Sequence, residues 1–332
     1  MKEKFFRASV VLLLAAFVAA FSPSAASAQA KTNADQVRQE IAVTFDDLPL
    51  NGPQFELERL REMTSKLLKT FAEHRIPVVG FVNERQLYRA GEIDERVAVL
   101  KMWVDAGLEL GNHTFSHPSL QRTPVAAFQD EVIRGETVTR MLLTGAGKKL
   151  RYFRHPFLQT GPTLEVRATF EGFLKERGYT IAPVTVDNSD WMFNSVYTNA
   201  KTRGDRELMK RVGEAYVSYV DAVFDFHERA SLALFARPIK HTLLLHANEL
   251  NADYFGEVAG VLKQRGYSFI TLEEALQDEA YAEPDKFAGP SGVSWLYRWD
   301  FTRGKKQINW REEPPVPEFV RQIYEDESRS RR

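Results

Sequence analysis

From residue 41 onward the chain alternates short apolar runs with longer amphipathic stretches. The runs are Ile41–Phe45, Ile76–Val82, Leu108–Leu110, Arg151–Phe157, Tyr179–Val186, His241–Leu245 and Tyr267–Ile270. They are short and rich in β-branched or aromatic residues, which predicts buried strands. Between them, Phe55–Glu73, Glu92–Ala106, Thr123 to about Leu143, Leu164–Arg177, about Asp205–Phe235 and Leu250–Gln264 read as helices. Thr123-Pro124 supplies an N-cap and first-turn pair, and Gly178 a C-cap. Thr271 with Glu274 forms the capping box of a short last helix. Strand and helix alternate about seven times, which predicts a parallel sheet closed, or nearly closed, into a barrel.

The strands end in polar residues. The first stops on Asp46-Asp47, two adjacent carboxylates that raise one another's pKa; a turn or capping role is the alternative. The third leads into Gly111–Leu120, GNHTFSHPSL, where His113 and His117 stand three residues apart and Pro118 prevents a helix. That spacing can direct two imidazole nitrogens at one cation. The fourth run contains Arg154, the fifth leads to Asp187, Asp190 and Trp191, and the sixth ends on His246. The carboxy-terminal strand ends are where parallel barrels keep their active sites. Five such ends on one face point to a site rather than to five separate structural residues.

The ends of the chain add a compartment and an appendage. Lys2, Lys4 and Arg7 precede the apolar run Val10–Phe21, and Ala26-Ser27-Ala28 offers small residues for cleavage. Residues 1–28 therefore read as a signal peptide cut after Ala28, with a cut after Ala30 as the near alternative and an uncleaved anchor as the competing reading. Export to a periplasm or beyond follows, with residues 29–40 a flexible lead-in. The absence of cysteine excludes a lipid-modified N-terminus and a disulfide framework. With 27% charged residues and a formal net charge of −1, the chain has no basic stripe to suggest a nucleic-acid partner. No second apolar run is long enough to span a membrane. The barrel is expected over 41–280 and a tail over 281–332. The tail holds Trp295, Trp299 and Trp310, three of the five tryptophans, as packing residues or as sugar-stacking ones. The charged stretch Asp326–Arg332 is expected to be disordered.

TFDD, HTFSH, RHPF, DNSDW and LLLH, in that order between residues 41 and 275, resemble the five motifs of the NodB-homology polysaccharide deacetylases, carbohydrate esterase family 4. The resemblance implies a distorted (β/α)7 barrel with a C-terminal appendage. It also implies a divalent metal, Zn2+ before Co2+, Ni2+ or Mn2+, and removal of acetyl from N-acetylated sugars of an acetylated glycan. By the same resemblance Asp47, His113 and His117 bind the metal, Asp46 is the general base and His246 the general acid. Arg154 is expected to pair with Asp46, and Asp190 with one nitrogen of His246. The backbone N–H of Phe157 would stabilise the oxyanion, Trp191 and Leu244 would wall the acetyl pocket, and Asp187 would fix the loop or meet substrate. His155 stands where the common motif has proline, and Leu158-Gln159 where glycine is usual. The segment Asn194–Lys240 is longer than the family's spacing. These departures touch the sugar subsites, not the metal chemistry. An O-acetyl esterase acting on xylan or another acetylated glycan could use the same groups. A non-catalytic glycan-binding protein would have no need of both Asp46 and His246, and a metal-free relative acting on cyclic amides is disfavoured by the intact Asp47, His113 and His117.

Overall fold

The computed structural model describes Met1 and residues 39–52, 56–304 and 307–330. The signal peptide, its cleavage site and the lead-in through residue 38 lie outside the described residues. The strands are β1 Gln39–Leu48, β2 Val78–Val82, β3 Glu109–Asn112, β4 Tyr152–Phe153, β5 Thr180–Ile181, β6 His241–His246 and β7 Tyr267–Ile270. Every pairing among them is parallel, in the order β5-β4-β3-β2-β1-β6, with β7 also paired to β1. A further bridge, Val186 to Leu243, joins the segment after β5 to β6, so the sheet curls round on itself. The result is the expected distorted seven-stranded barrel. β1 starts at Gln39 rather than Ile41, because Gln39 and Glu40 pair with Tyr267 and Ser268 of β7.

Two strands are much shorter than the hydrophobic pattern predicts. β4 stops at Phe153 instead of Phe157: Pro156 has no N–H, and Phe157 and Leu158 turn the chain away at φ 56° and 54°. β5 covers only Thr180–Ile181 of the expected 179–186, since Pro183 cannot donate to a ladder. Beyond it, Thr185 and Val186 both donate to the Thr242 carbonyl.

The helices are α1 Leu57–His74, α2 Ile93–Asp105, α3 Val125–Arg134, α4 Thr137–Gly145, α5 Leu164–Glu176, α6 Asp190–Arg203, α7 Arg206–Phe235, α8 Glu249–Gln264 and α9 Leu272–Ala275. The single helix expected from Thr123 to Leu143 is two, broken at Gly135. A Cβ there would lie 2.5 Å from the carbonyl carbon of Thr114, so the break brings α3 and α4 against the histidine loop. The helix α6, which the pattern did not reveal, begins at Asp190. Against the sheet, α1 buries Leu60, Met63, Leu67 and Phe71 at helical spacing, each contributing about 1.5–3 kcal/mol. Phe71 meets Phe45 of β1 with ring centres 5.0 Å apart, and Phe255 of α8 packs edge-on to Phe45 at 5.3 Å. This core fixes the strand whose end carries Asp46 and Asp47.

The tail folds back onto the barrel. It forms α10 Trp295–Arg303 and α11 Glu318–Ser330. Trp295, Leu296 and Trp299 share a buried cluster with Leu158, Val184, Leu234 and Leu244. The disorder expected over the charged end is replaced by helix as far as Ser330. Arg321–Glu325 and Glu325–Arg329 pairs lie one turn apart on α11, and Val320 is buried against the barrel. Among the described residues no helix is long and apolar enough to cross a membrane.

Candidate metal and catalytic site

The carboxy-terminal strand ends converge on an open cleft of about 720 Å³. Asp46 and His246 are cross-strand partners at the tips of β1 and β6. Among the described residues, six of the eight non-glycine residues with positive φ lie around this cleft: Asp47, Thr114, His117, Phe157, Leu158 and Ser189. The other two, Arg75 and Ala236, cap the ends of α1 and α7. Strained backbone of this kind persists only where surrounding structure imposes it, and it clusters at sites.

Asp47, His113 and His117 each offer one ligand atom, all within 4.8 Å of one another. Their fit to a cation can be judged atom by atom. Asp47 Oδ1 is buried with no hydrogen-bond partner, while its other oxygen accepts from Asn51 Nδ2 at 2.6 Å. His113 Nε2 and His117 Nε2 face Oδ1 at 3.6 and 3.5 Å. His113 Nδ1 lies 2.8 Å from the carbonyl oxygen of Arg154, and a proton there leaves the Nε2 lone pair pointing at Asp47. Burial pushes the His113 imidazole down to about 3, and it also lowers His117, so both rings are neutral ligands. Burial would raise Asp47, but the neighbouring imidazoles and Asn51 hold it below the usual carboxylate range. One anionic oxygen and two neutral nitrogens around a common point suit a divalent cation with positions left open.

Asp46 lies beside this group and is 2% exposed. Its Oδ2 pairs with Arg154 Nη1 at 3.4 Å, and Arg154 Nη2 donates to Thr44 at 2.9 Å, so the expected ion pair is present. Burial outweighs the guanidinium and pushes Asp46 up to about 7. A cation nearby would draw it back down, which leaves a carboxylate poised as a base near neutrality.

On the neighbouring strand tip, His246 Nδ1 meets Asp190 Oδ1 at 2.7 Å. Asp190 is buried at the start of α6, where its Oδ2 accepts from the His246 backbone N–H at 2.9 Å, Asn248 at 3.0 Å and Asn251 at 2.6 Å. Burial alone would lower the His246 pKa, but Asp190, with help from Asp47 and Asp46, raises it to about 10. The imidazole is therefore cationic at neutral pH. Phe157 is 52% exposed and Trp191 39% exposed, and both line the cleft with Leu244 and Asp187. Burial raises the Asp187 carboxyl, whose Oδ1 accepts from the Ser189 N–H at 3.3 Å.

All eleven residues singled out in the sequence thus stand in or directly behind one cleft. Several others had gone unnoticed. Asn51 and Thr44 hold Asp47 and Arg154, and Asn248 and Asn251 hold Asp190. A local signal existed for the last pair: Asn248 caps α8 through the Asn251 N–H immediately after His246. His155, the departure at the common proline, points away into the interior, its ring 5.1 Å from Phe153 and 5.5 Å from Phe170.

Residues 33–173 match the family model described as polysaccharide deacetylase. The chain is 27% identical over 154 residues to the peptidoglycan-N-acetylglucosamine deacetylase of Bacillus cereus, covering 46% of this chain but only 47% of that protein. It is 24% identical over 240 residues to the chitin deacetylase of Colletotrichum lindemuthianum, covering 72% of this chain and 79% of that one. The structure of the polysaccharide deacetylase Bc1974 from Bacillus cereus aligns with a TM-score of 0.49 at 18% identity, over 70% of this chain and 92% of that chain. The motifs and the matched stretch make residues 33–173 of the chain similar to the polysaccharide deacetylase family.

Proposed function

We propose that the protein is a metal-dependent N-deacetylase that hydrolyses the acetamido group of N-acetylated sugars in a polysaccharide or oligosaccharide, of chitin-like, peptidoglycan or exopolysaccharide type. The observation that carries this reading is the geometry at the strand tips: the buried carboxylate Asp46, paired with Arg154, and the imidazole His246, held by Asp190, stand as cross-strand partners beside the Asp47–His113–His117 cluster. A base and an acid with environments that push their pKa values apart are what amide hydrolysis requires. A divalent cation on Asp47, His113 and His117, with Zn2+ favoured by the two imidazoles, supplies a Lewis acid for the acyl oxygen and acidifies a water.

In this reading Asp46 takes a proton from the attacking water as the new C–O bond forms at the acyl carbon. Arg154 orients Asp46 through Nη1 while Thr44 fixes the guanidinium. The backbone N–H of Phe157 donates to the developing oxyanion. As the C–N bond breaks, His246 passes its Nε2 proton to the leaving amine, and Asp190 keeps the ring aimed through Nδ1. Acetate and a free amino sugar result. Leu244 and Trp191 bound the space for the acetyl methyl, and Asp187 faces the sugar. The basic and apolar run of residues 1–28, read as a signal peptide, supports export to a periplasm or beyond, where such glycans occur.

The test is acetate release by the purified mature protein from N-acetylglucosamine oligomers, peptidoglycan and acetylated xylan, each with zinc, with a chelator and with Asp46→Asn. Chelator-sensitive release that leaves a free amine and is lost in Asp46→Asn is expected. Release from xylan alone, with a free hydroxyl as product, would replace the N-deacetylase reading by an O-acetyl esterase. Neither release nor bound metal would sink both.

A further inference from the structure

The cleft is bounded by more than the barrel's own loops. Gly292, Tyr324 and Ser328 of the tail line it as well, all beyond the residues that match the family model. We propose that the tail closes the cleft at one end, so that the protein deacetylates the terminal sugar of a glycan chain or the unit next to it, and not units deep inside a polymer. This rests on the deacetylase reading above and gives that reading its substrate class: chain ends and short oligosaccharides.

The closure has two parts. On the β6 side, α11 packs along α6, whose Asp190 holds His246 at the tip of β6. Glu327 accepts from Asn199 at 2.6 Å and pairs with Arg203 at 2.8 Å, the Arg211 guanidinium sits 3.9 Å over the Phe319 ring, and Val320 is fully buried. A helix held at this many points is a fixed boundary. From it Tyr324 projects to Trp191 in an edge-to-face pair, with ring centres 5.5 Å apart and planes at 80°. Two aromatic rings at right angles make an end stop against which a sugar face can rest, while the edges cap the space beyond it.

On the β4 side the boundary is Phe157-Leu158, backed by the tail loop before α10. A Cβ on Gly292 would stand 1.7 Å from the carbonyl oxygen of Phe157 and 2.9 Å from the carbonyl carbon of Leu158. No chain of sugars can pass between surfaces in such contact. Gln121 and Gln159 tie the same loop down through the carbonyls of Gly289, at 2.6 Å, and Pro290, at 3.4 Å.

Among the described residues the remaining side is open. In the ring of strands β3, with β2 beside it, lies across the mouth from β6, and there the cleft continues into a second depression of about 230 Å³. The two share Asp47, Asn51, Gly52 and His117, and the second adds Arg85, Gln86 and Ser116. A glycan can enter over these polar residues and reach the Asp46–His246 pair, but it meets Tyr324 and Trp191 immediately beyond. The main volume, about 720 Å³, falls in the range of pockets that enclose small ligands, about 300–1,000 Å³. It suits a few sugar rings.

The experiment is to treat N-acetylglucosamine pentamers labelled at the reducing end with the zinc-loaded mature protein and to locate the free amines by mass-spectrometric sequencing. Wild type should place at least four fifths of the first free amines on the terminal unit or its neighbour at one end. Tyr324→Ala should at least triple the internal fraction, and Ser328→Trp, which fills the same end without loosening α11, should lower activity on all oligomers. Removal of residues 314–332 is the stronger form of Tyr324→Ala, with circular dichroism as the check that the barrel remains folded. Free amines spread evenly along the pentamer by the wild type would overturn the inference while leaving the deacetylase intact. So would an unchanged pattern in Tyr324→Ala. No acetate release from any oligomer would overturn this inference, and the deacetylase reading falls with it only where peptidoglycan too yields no free amine and no metal is bound.

Discussion

Asp47, His113 and His117 come from the ends of β1 and β3, one strand apart, whereas Phe157, Trp191, Gly292 and Tyr324 come from four segments spread over more than half the chain. The first group is held in large part by short-range devices. Asn51 sits four residues from Asp47 and Thr114 Oγ1 accepts from the His117 N–H, while Asn83 and the Arg154 carbonyl fix His113 from the neighbouring strand ends. The second group is held by long-range contacts: α11 on α6, Gly292 on Phe157, and Trp295 and Trp299 in one cluster with Leu158 and Leu244. The chemistry of this site is thus built locally, and its shape is built by long-range contact. Changes on the first side should remove metal or rate, and changes on the second should alter stability and substrate choice.

The largest effect that would sharpen this contrast lies on the local side. His113→Ala removes a ligand whose partner ring and carboxylate cannot replace it, so stoichiometric zinc should be lost in equilibrium dialysis. Activity should fall by roughly 10³-fold or more, the several kcal/mol that a Lewis acid supplies. Metal retained at full occupancy with His113 removed would break the ligand assignment. Asp46→Asn comes next: it should keep the metal and lose about 10²–10⁴-fold in kcat, the range of a general base. If Asp46→Asn instead lost its zinc, Asp46 would be a ligand and the base would have to be sought elsewhere.

Trp299→Ala tests the other side. Trp299 is 1% exposed, edge-on to Phe235 and Tyr281, and a cavity of that size costs about 3–5 kcal/mol. Because its cluster includes Leu158 and Leu244, the loss should lower a single cooperative melting transition and raise KM. Zinc affinity should stay within twofold. A separate early transition, with KM unchanged, would make the tail an independent appendage and dissolve the comparison.

The same division explains what the sequence disclosed. Asp46-Asp47 and His113-x3-His117 were readable because adjacent residues carry the chemistry and an apolar strand announces where it ends. β7 and the Thr271–Glu274 capping box were readable for the same reason. The short β4 and β5 were not, since Tyr152–Phe157 has the composition of a strand while Pro156 and the left-handed Phe157 and Leu158 end it early. The break at Gly135 depends on the approach of Thr114, more than twenty residues away, and no local pattern encodes it. Helix at Asp326–Ser330 was hidden in the same way, because a run of charge reads as solvated chain until Val320 and the Arg203–Glu327 pair anchor its helix to the barrel.

Asp190→Asn should give the smallest of these effects, and it spans the two sides. Asp190 opens α6, the helix that carries Trp191 and supports α11, yet its carboxylate acts on His246. An amide with its oxygen on Nδ1 keeps that hydrogen bond and the size of the side chain, but it turns an NH2 toward the donors that Oδ2 accepts from and removes the negative charge that raises His246 to about 10. Outer partners of this kind are worth about 10–100-fold in activity. The direction of the pH effect follows from the role. A general acid must be protonated, so activity falls as pH rises through its pKa, and losing the anion lowers that pKa. The alkaline limb of kcat/KM should therefore move to lower pH, while the acid limb, set by Asp46 at or below about 7, should move little, Asp190 being the last of the influences on it. Nuclear magnetic resonance of the His246 ring would report the same displacement without turnover. A lower kcat with both limbs unmoved would mean that Asp190 only orients the ring, and that the cationic state of His246 owes more to Asp46 and Asp47 on the metal side of the cleft.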